Sequence, residues 1–404
     1  MNIVIVGAGK AGFLHFTSYY KLYKIGLVDL NRIFFVDPNG SFGPDIFKLI
    51  NIIARSYKVY KSFDSLLNEE QLIPENTIID LCIPSGTFIK AMQMINKYGF
   101  SNFLVEKPFV ISDESTESNH LTELLSKLKI IKIENYLHSK VHKIIKHLIN
   151  KYNLELNAVV TNFSKDRQAE SLRGRAFRLG QAPPSVFEIE VPHQIYICND
   201  LFGDIDELIY VYSKDMIVDG NIIKKHGEGL VVGKNPENAL YIHYSNLCFN
   251  RVYRTIDIFF KNNYYLHGIY APVCEDELGV KAGVVLSNDS KVIESCFFDD
   301  DDNMLDMISY AFISFQNGCY DKYASPPQIL NFSNLMKNVL NFEIQNSNLH
   351  SFDYQNSNFN VMQLWLLQMF IATNLEPDHN FLSFLENIKF KYFKNKKRNL
   401  VTSK

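Results

Sequence analysis

The sequence predicts an α/β chain, with a doubly wound parallel sheet first and then an α+β domain built on a large open, mostly antiparallel sheet. Three observations predict it. Residues 3–6 form an unbroken apolar run that passes into Gly7-Ala8-Gly9-Lys10-Ala11-Gly12. From there to Val105, apolar runs of strand length alternate with segments of helical spacing. Over residues 207–296 the pattern is mostly strand, punctuated by turn signals such as Asp219-Gly220 and Asn235-Pro236.

An unbroken apolar run suits a central parallel strand covered on both faces. Gly7, Gly9 and Gly12 stand at G-x-G-x-x-G spacing. Gly7 permits the tight turn, Gly9 lets backbone approach a pyrophosphate, and Gly12 lets the next helix pack close to the strand. That helix aims unpaired N–H groups and its positive dipole end at the phosphates. The spacing alone is weak evidence. Here it follows a strand, opens a helical pattern, and has Asp37 at the end of the next strand, residues 33–36. An acid there accepts hydrogen bonds from ribose hydroxyls and repels a 2′-phosphate. A Rossmann unit binding NAD in preference to NADP is therefore expected. Arg32 precedes the strand and is badly placed for holding a phosphate. The other reading of Asp37 is structural: it starts a turn with Pro38, Asn39 and Gly40.

The rhythm continues. Residues 57–60 read as a short strand and 63–67 have helical spacing. Residues 78–83 form an apolar strand that stops in Pro84-Ser85-Gly86, leaving a crevice at its carboxyl end. The helix from Thr87 is expected to carry Met92, Ile95 and Tyr98 inward and to end near Gly99. Residues 103–105 are the next strand, followed directly by Glu106-Lys107-Pro108. A lysine at that strand end, beside a nicotinamide, can hold a substrate oxygen and stabilise its developing charge, or move a proton if its pKa is lowered. The plainer reading is a surface Glu-Lys pair.

The glycine motif, Asp37, Glu106-Lys107-Pro108 and Ile133-Glu134-Asn135-Tyr136 together resemble the Gfo/Idh/MocA oxidoreductases, the relatives of glucose-fructose oxidoreductase and inositol dehydrogenase. The resemblance covers roughly residues 1–345. It implies that residues 133–136 are a strand leading the chain out of the Rossmann domain, and that a second domain's open sheet backs the active site. It implies a catalytic or substrate-binding Lys107 and a substrate contact from Tyr136. The cofactor-binding set read on this basis is Gly7, Gly9, Lys10, Ala11, Gly12, Asp37, Pro84, Glu106 and Lys107. One departure is the strand end at 83–88. The family often has Thr-Pro and then a histidine there, and this chain has Ile83-Pro84 and Phe88.

The second domain opens with a strand at 158–163. Arg167, Arg173, Arg175 and Arg178 follow in a short span. Arginine suits bidentate binding of carboxylate or phosphate, and in the family this loop faces substrate, so one or two are expected to bind an anionic group. The alternative is a solvated loop with arginines paired to Glu170 or Asp166. Next, His193 matches the family's active-site histidine. The family's aspartate position falls on Ile189, flanked by Glu188 and Glu190. Glu190, one helical turn before His193, or else Glu188 is the expected substitute, able to orient the imidazole and raise its pKa. Pro192 implies a kink or a late helix start. His226, His243 and His267 lack metal-ligand spacing, and no metal is expected. The acidic run 299–302 precedes a helical pattern at 304–315, where negative charge is favourable.

Composition excludes other classes. A net charge of −3 argues against nucleic-acid binding by bulk charge. The six cysteines include no C-x-x-C pair, so they read as buried thiols of a reducing compartment. No apolar segment suits a signal peptide or a membrane span. The reading is a cytoplasmic soluble protein with a small-molecule substrate and no membrane or nucleic-acid partner. Three domains are expected: residues 1–136, 137–345, and a helical extension with a basic tail at 346–404. In the family one face of such a sheet often carries an oligomer interface, so the resemblance implies a homodimer or homotetramer; the many Tyr, Phe and Ile residues of this stretch could build that interface or equally fill a monomer core. The expected activity is NAD-dependent hydride transfer at a hydroxyl or carbonyl carbon of a sugar, cyclitol or related polar, anionic metabolite. Lys107, His193 and Glu190 are the expected catalytic residues. Two alternatives stand: reduction of a C=N or C=C bond, or a catalytically silent NAD-binding sensor or subunit.

Overall fold

The structure, a computed structural model, describes residues 1–42, 57–109, 118–173, 183–271, 282–288, 291–318 and 326–341. Arg175, Arg178 and the expected extension at 346–404 lie outside the described residues. Two compact units divide the chain. The first comprises Met1–His142 and Asp300–Leu340, and the second contains Lys143–Asp299.

The first unit is built on β1 (Asn2–Val6), β2 (Ile33–Val36), β3 (Val59–Tyr60), β4 (Thr77–Leu81), β5 (Asn102–Val105) and β6 (Lys129–Lys132). These strands are all parallel, in the order β3-β2-β1-β4-β5-β6. That is the doubly wound order, which reverses between β1 and β4. Its helices are α1 (Lys10–Lys24), α2 (Phe63–Glu69), α3 (Phe88–Asn96) and α4 (Ser118–Lys127). The spacing explains which faces they bury. α1 buries Phe16, Tyr19 and Leu22, and α3 buries Phe88, Met92 and Ile95. Each large side chain removed from water contributes on the order of 1.5–3 kcal/mol. Ser62 starts α2 through a reciprocal capping box with Ser65.

Two expectations need correction here. α3 ends at Asn96, before Tyr98, and Gly99 turns the chain with φ +88. Tyr98 is 44% exposed, and Phe100 fills the interior instead. Residues 133–136 are not a strand. β6 stops at Lys132, and Asn135–His138 forms a 3-10 turn.

α5 (Lys140–Lys151) carries the chain across the division into the second unit. There β7 (Leu156–Asp166), α6 (Gln168–Arg173), α7 (Val186–Ile189) and α8 (Val191–Phe202) precede the remaining strands. Those are β8 (Glu207–Val218), β9 (Asn221–Lys234), β10 (Leu240–Asn246), β11 (Cys248–Phe260), β12 (Tyr264–Ile269), β13 (Ala282–Asn288) and β14 (Lys291–Phe298). They form one sheet in the order β14-β13-β12-β11-β7-β10-β9-β8. Among the described strands of this sheet, only the β7–β10 pair is parallel. The mostly antiparallel expectation therefore holds. Asp219 and Gly220, at φ 48 and 75, close the β8–β9 hairpin in the twist that a two-residue loop favours.

The domain limits differ from the expected 137–345. The chain returns to the first unit through α9 (Asn303–Asn317) and α10 (Pro326–Asn341). The acidic run explains the return. Asp302 caps α9 by accepting from Leu305 N, and Asp301 accepts from Ser139 Oγ at 2.5 Å and Lys140 N at 2.8 Å. Asp300 pairs with Lys140 Nζ at 2.7 Å. The acids hold helix starts, and Ile329 of α10 joins the core cluster of the first unit.

A neutral polar network lies inside the second unit, between β7, β10 and α8. Thr161 Oγ1 donates to Gln194 Oε1 at 2.7 Å and lies 2.7 Å from His243 Nδ1. Gln194 Nε2 donates to Ser245 Oγ at 2.6 Å. His243 is fully buried, and burial pushes its pKa down to about 3. An unfolded histidine titrates near 6.5. The stability His243 gives is therefore complete above about pH 6.5, and it is lost as the pH falls toward the folded value, at about 1.4 kcal/mol per pH unit. Urea denaturation followed from about pH 7 to about pH 5 should show this slope. His243→Gln should flatten it by the equivalent of one proton, and an unchanged slope would refute the assignment.

Candidate functional site

Parallel pairing puts the cofactor candidates on one edge of the first sheet. Val6 pairs with Val36 and with Leu81, and Leu81 pairs with Val105. The next residue of each strand is therefore Gly7, Asp37, Cys82 or Glu106. The ladder continues one bond further: Gly7 N donates to Val36 O, Cys82 N to Val6 O, and Glu106 N to Leu81 O. This is the carboxyl edge at the switch point, where open α/β sheets bind ligands.

The three motif glycines are held for different reasons. Gly7 has φ +106, and a Cβ on it would collide with the Cys82 carbonyl. A Cβ on Gly12 would collide with the Gly7 carbonyl, so Gly12 lets α1 approach the turn. Among the described residues nothing lies within 4 Å of a Cβ placed on Gly9, so their packing does not require glycine at this position; a ligand pressed against the backbone would.

Gly9 is also the N-cap of α1. Among the described residues no side chain caps this helix end, and its first turn holds no acid. Lys10 and Ala11 are its first two residues. A free positive helix end over an open backbone is the donor set a pyrophosphate takes. Asp37 is buried. Its Oδ2 accepts from Ala8 N at 3.1 Å and its Oδ1 from Asn39 N at 2.9 Å. Gly40 N bonds Asp37 O at 2.8 Å. The structural reading of Asp37 is realised: it closes the Pro38–Gly40 turn, and it also braces the glycine loop. Two further acceptor positions on the carboxylate suit ribose hydroxyls. These residues fit a dinucleotide. Pro84 stands at the start of a 3-10 turn beyond β4, on the same edge.

Glu106 and Lys107 follow β5. Glu106 Oε2 accepts from Lys107 N at 3.0 Å, and Lys107 is half-buried. The Lys107–Pro108 peptide is cis. Behind Glu106 stands a buried cluster that sequence reading missed. His15 Nε2 lies 2.9 Å from Glu106 Oε1, and His15 Nδ1 lies 2.9 and 3.0 Å from the two oxygens of Asp80. Tyr19 OH donates to Asp80 Oδ2 at 3.0 Å, and Cys82 Sγ lies 3.4 Å from Asp80 Oδ1. The available signal was Asp80 itself, an acid inside an apolar strand, which demands a buried partner. Tyr136 is also buried in the first unit, within the 3-10 turn after β6.

In the second unit, α8 starts at Val191 with Pro192 in its first turn, the late start the proline implied. His193 is 8% exposed, its ring 6.3 Å from that of Phe163 on β7. Glu188 is engaged in a capping box, accepting from Ser185 N at 2.8 Å and Ser185 Oγ at 2.9 Å. Glu190 is the N-cap residue of α8, and its ion-pair partner is Arg254 of β11, at 3.3 Å. Arg254 also lies over the Phe163 ring at 5.2 Å. Arg167 binds Glu170 at 2.8 and 3.2 Å, as the structural alternative supposed, and stands 4.0 Å from Glu190. Arg173 ends α6. Lys165 joins this group. Burial lowers its pKa; Glu190 opposes that shift, while Arg254 and Arg167 reinforce it. Phe163 pairs with Arg254 in the ladder, so Phe163, Lys165 and Arg254 share a face. The arrangement gathers three cations against Glu170 and Glu190. Sequence reading found Arg167 and missed Lys165 and Arg254.

No family model matches this chain, and no curated protein does. Solved structures do. A 3-ketoreductase from Actinomadura kijaniata, solved with NADP and TDP-benzene, aligns at a TM-score of 0.63 and 12% identity, covering 84% of this chain and 97% of that one. The UDP-N-acetylglucosamine 3-dehydrogenase GnnA from Acidithiobacillus ferrooxidans aligns at 0.58 and 14%, covering 84% and 97%. The WlbA dehydrogenase from Bordetella pertussis, solved with NADH and UDP-GlcNAcA, aligns at 0.58 and 12%, covering 84% and 95%. The likeness is one of fold.

The glycine geometry makes a prediction that needs no ligand. Gly9→Ala should cost about 1 kcal/mol or less of folding stability, the range for a changed N-cap. Gly12→Ala should cost more than about 2 kcal/mol, because backbone must move. Urea denaturation of both variants checks this, and equal losses would remove the case for space reserved at Gly9.

Proposed function

We propose that this protein is an NAD-dependent oxidoreductase that transfers hydride between the nicotinamide and a hydroxyl or carbonyl carbon of an anionic sugar, of the nucleotide-sugar class. One observation carries the proposal: the open space over Gly9, at an uncapped helix end, on the edge that also holds Asp37 and Glu106-Lys107. The fold likeness supports the class, because the aligned proteins are a 3-ketoreductase and sugar-nucleotide dehydrogenases.

Gly7, Gly9, Lys10, Ala11 and Gly12 would hold the pyrophosphate, with Pro84 bordering it. Asp37 would hold the adenosine ribose. When bound, the cofactor accepts or gives the hydride. Lys107 holds the substrate oxygen and stabilises the charge that builds there as its proton leaves. His193, with Glu190 placed at the start of its helix, is the second unit's candidate proton carrier. The cationic face of Lys165, Arg167 and Arg254 supports an anionic substrate. Carboxylates already pair two of these cations, so an incoming diphosphate competes for guanidinium groups that are preformed.

NADP is the second reading, and Lys61 favours it. Its side chain lies against Gly40 of the Asp37 turn, where a Cβ would sit 3.0 Å from its Cγ. Titration of nicotinamide fluorescence with NADH and with NADPH separates the two. The first reading expects NADH to bind at least about tenfold more tightly, a difference of ~1.4 kcal/mol. Self-association as a homodimer or homotetramer belongs to the same proposal, supported by Val292 and Phe297, exposed on the edge strand β14.

Lys107→Met should leave NADH affinity within about threefold and lower turnover of UDP- or TDP-sugars by more than about a hundredfold. Gly9→Ala should fold and fail to bind NADH. Binding of neither dinucleotide at micromolar levels would overturn the proposal. Binding without turnover of any nucleotide sugar would favour the silent sensor instead.

A further inference from the structure

The buried cluster behind Glu106 is unexplained by dinucleotide binding. Asp80 is fully buried in the middle of β4. Three donors converge on it: Tyr19 OH at 3.0 Å, Cys82 Sγ at 3.4 Å and His15 Nδ1 at 2.9 Å. Burial keeps Tyr19 a phenol and Cys82 a thiol, so both remain donors. A carboxylate faced by three donors fixes a proton on His15 Nδ1. The other ring nitrogen then faces a second carboxylate, Glu106, at 2.9 Å. A neutral ring donates through one nitrogen only. A ring bracketed by two carboxylates donates to both when it is charged.

We propose that His15 is a positioning residue: as an imidazolium bridging Asp80 and Glu106, it fixes the Glu106 carboxylate and, through it, the backbone of Lys107. The chain of contacts is continuous. Asp80 orients His15, His15 Nε2 holds Glu106 Oε1, and Glu106 Oε2 holds Lys107 N at 3.0 Å. Among the described residues, the titratable groups around His15 are Asp80 and Cys82 from β4, Glu106 after β5, and Tyr19 from α1 itself. Burial is the largest influence on His15 and disfavours its charge. Asp80 overrides it and leaves the ring well above the usual histidine range.

A metal ion is the competing explanation. His15, Asp80 and Cys82 are close enough to ligate one. That would require a thiolate at Cys82 and a bare Nδ1. Burial holds the thiol protonated, and the 2.9 Å separation of Nδ1 from Asp80 is that of a hydrogen bond. The group is already satisfied without an ion.

The consequence for Lys107 chemistry rests on the function proposed above; the protonation of His15 does not. The test therefore begins with wild-type protein labelled with nitrogen-15 at histidine and lysine. Between about pH 6 and about pH 8, where a free imidazole loses its charge, both His15 ring nitrogens should remain protonated. In Glu106→Gln the His15 midpoint should fall by at least about one pH unit, and the Lys107 amide resonance should shift with it. A single neutral tautomer in wild type at about pH 7 would overturn the proposal. So would one equivalent of zinc retained by the purified protein. Kinetics supply the second arm. His15→Gln should lower turnover by about tenfold with NADH affinity unchanged, and should have no further effect in the Glu106→Gln background. Additive losses would show that His15 does not act through Glu106. If wild type shows neither NADH binding nor turnover, the functional reading fails, and the labelled spectra still decide the state of His15.

Discussion

Parallel pairing in register is the constraint on which this structure depends. Strands that run the same way must finish on the same edge, and matched ends then bring residues far apart in sequence into one row. Gly7, Asp37, Cys82 and Glu106 become neighbours for this reason alone. The glycines follow from it, because the β1–α1 turn must pass beneath the Cys82 carbonyl. The position of Lys107 follows too, since Glu106 is the last residue held to the β4 backbone.

Each unit buries a histidine in a polar network, and the two histidines shift in opposite directions. His15 meets two carboxylates and is held toward its charged form. His243 meets a hydroxyl and is held neutral. Burial pushes both the same way, so neighbouring charge decides the difference. Such networks specify a single arrangement when every member is paired. The cluster in the first unit is paired throughout. Among the described residues, the one in the second unit leaves His243 Nε2 without a partner, and burial makes the charged ring costly.

Much of this is legible in the order of the amino acids alone. The apolar runs at β1, β2 and β4 can be read because strands buried on both faces leave no polar alternation to confuse. Asp37, the glycine spacing and the acid run at the start of α9 can be read because turns and helix ends have local chemistry. What stays hidden depends on distant partners. Arg254 reaches Glu190 only because β11 pairs with β7 in one particular register, and register is not visible in a single strand. The strand that the resemblance implies at 133–136 does not form, because the ladder ends at Lys132. His15 reads as one polar residue on a helix; its meaning comes from Asp80, sixty-five positions away.

The contact between Asp301 and the start of α5 has a further consequence. The chain leaves the first unit after His142 and re-enters it at Asp300. Close to those crossing points, and within the first unit, Ser139 and Lys140 are bonded to Asp301. The second unit is thus spliced into the first at a place where the two cut ends nearly touch. A few flexible residues joining them would restore an unbroken Rossmann chain, with neither end stretched.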